Sequence, residues 1–256
     1  MARQLGTRLY LSGMDSRAAS LARQWRVGYE VTAFSYAPVL DDEQAVHRVR
    51  RETADFDRLW CHAPFAELIP CAIDPLARQV AQQRLLQAAE TAISLGIRRM
   101  VCHGGFIPRV YFPEWYVSQS VPFWRELLEK LPPDFTLALE NVMEPTPETL
   151  VAIVSQVDDP RLGLCLDVGH GNTCVSTLPP VEWVAPMAPY LRHVHLHNND
   201  GVEDLHQPLG QGVIPMETVL ETIMAAAPEA TLTIENQDCL PSLRWLAERG
   251  YIEEST

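Results

Sequence analysis

Eight short apolar runs, each followed by a stretch of helical spacing, divide this chain from end to end. The pattern predicts strands at Arg8–Ser12, Tyr29–Phe34, Arg58–His62, Arg99–His103, Thr136–Glu140, Leu162–Asp167, Arg192–His197 and Thr231–Glu235. Apolar runs of this length between turn residues read as buried strands. Between the third and fourth, Asp74-Pro75 opens a helix that Gly96 ends, with Leu76, Val80, Leu86 and Ile93 on one broad side. Further helices are predicted over Ser16–Arg23, Glu43–Ala54, Pro122–Leu131, Pro147–Gln156, Met216–Ala226 and Pro241–Arg249. The prolines between Pro180 and Pro189 leave room only for a short or broken one. Strands alternating with helices, without a Gly-rich dinucleotide fingerprint, point to a closed (β/α)8 barrel of the α/β class. A barrel of 256 residues is ordinarily one domain, so residues 1–256 are read as one unit.

Six of these runs carry a metal-binding side chain at or near the same end: His62, His103, Glu140, Asp167, His195 and Glu235. In a (β/α)8 barrel that end forms the rim where active sites are built. A single acid at a strand end is usually an ion pair or a helix cap. Several at equivalent ends suggest one shared site. Alternate strand residues face the barrel interior, so Glu140 shares its side with Ala138, Asp167 with Cys165, and Glu235 with Thr233. Each acid thus lies on the smaller, more polar side of its strand. Carboxylate oxygens with imidazole nitrogen suit manganese, zinc, iron or cobalt. His193, His195 and His197 share one parity; His195 is the expected ligand, and His193, deeper in, is expected to be a hydrogen-bonded core residue.

Charge narrows the partners. The net charge of −13 and the absence of any dense run among the 20 lysines and arginines argue against nucleic acid, whose binders neutralise phosphates with a basic face. No stretch reaches the roughly 20 apolar residues that span a bilayer. Met1–Arg8 leaves no room for an apolar secretion segment, so a cytoplasmic protein is expected. The six cysteines include no C-x-x-C pair, and Cys61, Cys102 and Cys165 fall within strands, as reduced, buried residues would. A helix-covered barrel exterior is compatible with a homodimer.

Two loops extend the candidate set. Asp167-Val168-Gly169-His170 places a second donor three residues beyond the aspartate, and Asp204-Leu205-His206 precedes a Gly-rich turn. With Leu139-Glu140-Asn141, Leu166-Asp167-Val168-Gly169-His170 and the segment ending Gln207-Pro208-Leu209-Gly210-Gln211-Gly212, the chain resembles the xylose-isomerase-like barrels. That superfamily includes sugar isomerases and epimerases and the endonuclease IV family. The resemblance runs from His62-Ala63-Pro64-Phe65 to Glu235-Asn236. Its isomerase and epimerase branch implies one metal held by Glu140, Asp167, His195 and Glu235. Its endonuclease branch implies further ligands, here His62, His103, His170, Asp204 and His206, and two or three metals.

The leading expectation is a metal-dependent isomerase or epimerase of a small sugar or related polyol, with one manganese, zinc or cobalt ion. Glu140 and Glu235 would exchange protons beside a metal-polarised carbonyl. His197, Arg109, Phe65 and Trp115 are the expected substrate contacts. The alternative is an endonuclease IV-like zinc phosphodiesterase acting on apurinic sites, using up to three metals.

Overall fold

The structure, a computed structural model, describes residues 5–173 and 175–253. One of the six cysteines, Cys174, and the start of the N-terminal segment lie outside the described residues. Eight strands, β1 Leu9–Ser12, β2 Gly28–Val31, β3 Leu59–His62, β4 Arg99–His103, β5 Thr136–Glu140, β6 Leu162–Asp167, β7 Leu191–Leu196 and β8 Thr231–Ile234, form a closed barrel in chain order. Every pairing is parallel, and β8 closes on β1. Eight α-helices cover it: α1 Ala18–Trp25, α2 Glu43–Thr53, α3 Pro75–Ser94, α4 Pro113–Glu129, α5 Glu148–Val157, α6 Pro180–Met187, α7 Met216–Ala226 and α8 Leu240–Glu248. This is a (β/α)8 barrel, as the alternation predicts.

Side-chain parity separates two cores. Leu11, Cys61, Cys102, Leu139, Leu166, Val194 and Ile234 face the helices and join the large outer core. Tyr10, Trp60, Val101, Ala138 and Cys165 form a small cluster of their own inside the barrel. Arg99 closes its lower end, stacked over Tyr10 and Trp60 and donating to the Tyr10 hydroxyl at 2.8 Å. The interior is therefore filled from below by these rings, with a buried polar layer of Glu30, His193 and Thr233 between them and the upper rim. Gly28 is what admits the Tyr10 ring, because a Cβ there would overlap it.

Register then sets the rim. His103 pairs with Glu140 across β4 and β5, and Asp167 with His195 across β6 and β7. Partners in a parallel sheet point the same way, so each pair enters the barrel together; Glu140 is level with Cys165, and Asp167 and His195 lie one inward-facing position further along their strands.

Several boundaries differ from the sequence pattern. β2 stops at Val31, and Ala33–Ser35 forms a 3-10 turn held by Ser35 donating twice to the Thr32 carbonyl. α4 starts at Pro113, nine residues before Pro122, which lies inside it. Proline removes one intrahelical bond, to the carbonyl of Ser118; Ser118 is exposed, so water can replace that bond. In α3, Asp74 caps the N-terminus by accepting from the Leu76 amide, as expected, but Leu76 and Val80 are exposed. Its buried face is Ala81, Leu85, Ala88, Ala89 and Ala92, small side chains that let the helix pack close. α6 is short, and a 3-10 turn at Ala188–Tyr190 follows it.

Candidate metal centre

The rim gathers nine side chains into three adjoining groups. In the first, His62 Nε2 and His103 Nε2 lie 3.4 and 3.2 Å from Glu140 Oε2. In the second, His195 Nδ1 faces Glu140 Oε1 at 3.5 Å, Asp167 Oδ2 at 3.8 Å and Glu235 Oε2 at 3.3 Å. Glu140 thus gives one oxygen to each group. In the third, Asp204 Oδ2 lies 3.3 Å from His170 Nε2 and 3.0 Å from His206 Nε2. His170 also approaches Asp167 and Glu140, so the three groups are continuous.

Local structure aims each ring. A carbonyl only accepts, so a ring nitrogen facing one carries the proton and leaves the other nitrogen as the donor. His62 Nδ1 donates to the Ala63 carbonyl at 2.8 Å, His170 Nδ1 to that of Asn141 at 2.9 Å, and His206 Nδ1 to that of Glu235 at 2.9 Å. The Nε2 of each faces a carboxylate. Asp204 and His206 reach the rim on a hairpin, tied by the antiparallel bridge between Asn198 and Gln207. Its tip bends through His206, whose φ of +47° is left-handed.

These residues fit a divalent cation. Glu140 Oε2 and His195 Nδ1 are fully buried and have no hydrogen-bond partner among the described residues. Burying such atoms unpaired is costly, and a bound cation satisfies both. Charges respond accordingly. Burial opposes ionisation of Glu140, yet the neighbouring His195 and His103 hold its carboxyl well below the usual range. Burial likewise opposes a proton on His195 and His170, but surrounding carboxylates raise both well above an ordinary imidazole. His193, packed under Trp60, is pushed down to about 4, chiefly by burial, and is a neutral core residue.

A cavity of about 450 Å³ opens over the centre. His62, His103, Glu140, His170, Asp204, His206 and Glu235 form its floor, and Met14, Phe65, Val142, Met143, Val175 and Val202 its walls. Thr32, Ser35 and Thr173 supply the hydroxyls, and no lysine or arginine lines it among the described residues.

The four expected substrate contacts separate here. Phe65 lines the cavity and stacks on His103 at 4.4 Å. His197 does not: it is fully enclosed, stacked on His206, with Nε2 3.0 Å from Asp167 Oδ1. The chain closes over it at Gly169, where a Cβ would overlap the imidazole. Arg109 is exposed in the loop after β4 and is not part of the lining. Trp115 also lies off the cavity, stacked on Tyr111 at 4.9 Å and packed against the outer core.

The sequence pattern passed over three positioning groups. Glu30, fully buried in β2, bonds His193, His195 and Thr233. Asn141 clamps the next strand through the Asp167 amide and carbonyl. Asn236 holds the hairpin through the carbonyls of His206 and Gln207. For Glu30 one signal existed: a charged residue between Tyr29 and Val31, on the same side as Gly28.

A model of the xylose isomerase-like TIM barrel family matches residues 23–253. The chain belongs to that family. The uncharacterized protein MJ1311 of Methanocaldococcus jannaschii is 31% identical over 189 residues, which cover 69% of this chain and 64% of the relative. A probable endonuclease 4 of Mesomycoplasma hyopneumoniae is 26% identical over 180 residues, 63% of each chain. The chain therefore spans less than two thirds of these relatives. Among solved structures, a D-tagatose 3-epimerase-like protein superposes with a TM-score of 0.80 at 22% identity, covering 95% of this chain and 97% of that one. The TTHB071 protein of Thermus thermophilus, soaked with zinc chloride, gives 0.76 at 28% identity and the same coverage. No helix among the described residues is long and apolar enough to cross a membrane.

Proposed function

We propose that this chain is a divalent-metal-dependent hydrolase of a small phosphate ester. The observation that carries the reading is the completeness of three adjoining ligand groups, with Glu140 reaching both the first and the second. An isomerase needs a cation at one of them; closely spaced cations suit displacement at phosphorus. Bound there, divalent cations would neutralise a phosphoryl group and acidify a water molecule. The protein's part is to fix the donors. Glu140, Asp167, Asp204 and Glu235 supply anionic oxygens, while His62, His103, His170 and His206 present Nε2 with Nδ1 withdrawn wherever a carbonyl holds it. The likeness to a probable endonuclease 4 and to a protein structure soaked with zinc chloride supports this chemistry.

Duplex nucleic acid does not suit the cavity. Its walls are apolar and without a cationic side chain, and the chain is strongly acidic. A small ester with an apolar or aromatic group against Phe65, Met143 and Val175 suits it better. Metal analysis of the purified protein, with bis(4-nitrophenyl) phosphate as substrate, tests the reading. Two or three zinc equivalents and zinc-dependent release of nitrophenol are expected. One equivalent, with no phosphoester cleavage, would overturn it.

The size of the cavity gives one argument for a second reading, a sugar isomerase or epimerase with a single cation at Glu140, Asp167, His195 and Glu235. Glu140 and Glu235 would then be the proton-transfer groups. Interconversion of free ketoses at one metal per chain would decide for it.

A further inference from the structure

Beneath the rim, Glu30 ties together two histidines that lie more than 160 residues away in sequence. It is fully buried, and its two oxygens divide their work. Oε1 faces His195 Nε2 at 3.1 Å. Oε2 faces His193 Nε2 at 3.0 Å and receives the Thr233 hydroxyl at 2.5 Å. His193 Nδ1 in turn lies 2.6 Å from the Thr231 hydroxyl.

One proton arrangement satisfies this network with an ionised Glu30. Thr231 turns its hydroxyl to His193 Nδ1 at 2.6 Å in preference to the Arg192 carbonyl at 3.2 Å, His193 Nε2–H donates to Glu30, Thr233 donates to Glu30, and His195 Nε2–H donates to the other Glu30 oxygen. A carboxylate has no proton to offer, so both rings must present N–H to it. With Nε2–H committed downward, the lone pair of a neutral His195 is on Nδ1. That atom faces Glu140, Asp167 and Glu235 and has no hydrogen-bond partner among the described residues.

We propose that Glu30 is the positioning residue of this centre: it fixes His195 as the Nε2–H tautomer and so dedicates Nδ1 to the cation held with Glu140, Asp167 and Glu235. The inference rests on the reading of these residues as a cation site and is independent of the substrate. His195 differs in this from His62, His170 and His206, whose Nδ1 atoms bond backbone carbonyls and whose Nε2 atoms face inward. An anionic partner also makes an imidazole a stronger donor than a carbonyl does, and partners of this kind typically govern metal affinity by about 10- to 100-fold.

The test measures zinc affinity by competition with a chromophoric chelator, together with nitrogen-15 NMR of the zinc-loaded wild type. Glu30→Gln should weaken one zinc equivalent by about 10- to 100-fold and leave any other equivalents unchanged. Thr233→Val, which spares the bond to His195, should leave every equivalent within about twofold of wild type. In the wild type, His195 should show a protonated Nε2 and a metal-shifted Nδ1, a readout that stands even if the Gln variant fails to fold. Unchanged affinity in Glu30→Gln, a uniform loss over all equivalents, or coordination through Nε2 would overturn the inference while leaving the cation site standing. A wild type that binds no zinc would overturn both.

Discussion

Nε2 of His206 and Oδ2 of Asp204 stand 3.0 Å apart at the tip of the hairpin, an imidazole and a carboxylate two residues apart in sequence. Burial alone would lower the His206 pKa, but its bond to Asp204 and the nearby Glu235 and Asp167 charges raise it to about 9. A histidine raised in the folded state stabilises it fully below the unfolded value of about 6.5, and that contribution is lost as pH rises through the folded value. Chelator-treated protein should therefore lose melting temperature between about pH 6.5 and pH 9. Zinc affinity should move the opposite way, because the cation must displace that proton. Thermal melts with chelator or zinc across this range check both signs.

Glu140 serves two groups with one carboxylate. Glu140→Ala should therefore remove more than one zinc equivalent, whereas His206→Ala should remove one. Phosphoester turnover in the Glu140 variant should fall by about 1,000-fold or more. Metal content by mass spectrometry, read beside initial rates, distinguishes a shared ligand from an ordinary one.

Gly169 has no room for a side chain, since a Cβ would overlap the enclosed His197 ring. Gly169→Ala should cost about 1–3 kcal/mol, the usual range for overpacking. Urea denaturation of the metal-free protein measures this without reference to activity.

Phe65 is 42% exposed and stacks on His103 at the cavity edge. Phe65→Ala should raise KM for an aryl phosphodiester by about tenfold, with zinc content and melting temperature nearly unchanged. Arg109→Ala, off the cavity lining, should leave kcat/KM within about twofold.

The barrel was legible because its signal repeats: an apolar strand and then a helix, eight times over, with a rim residue on six of the strands. The gathering of Glu140, Asp167, His195 and Glu235 followed from the same period, since closure brings equivalent strand ends together. Glu30 was not legible. A lone acid in a short strand reads as solvent-facing until closure of the barrel shows that its side has no solvent. His197 has the right parity for a substrate contact, but whether a loop closes over it depends on Gly169, whose packing no periodicity encodes. Trp115 illustrates the converse: helix α4 begins well before its internal proline and carries that ring onto the outer surface of the barrel.

The two inner groups are carried by residues in or beside the strands, and His170 by the turn that follows β6, so their geometry is as rigid as the sheet itself. Asp204 and His206 ride instead on a bridged arm outside the wall. On the reading proposed above, the third ligand group is therefore modular. Trimming or replacing that arm would remove its two donors while sparing those anchored in the cylinder, a simple route by which one scaffold can pass between chemistries.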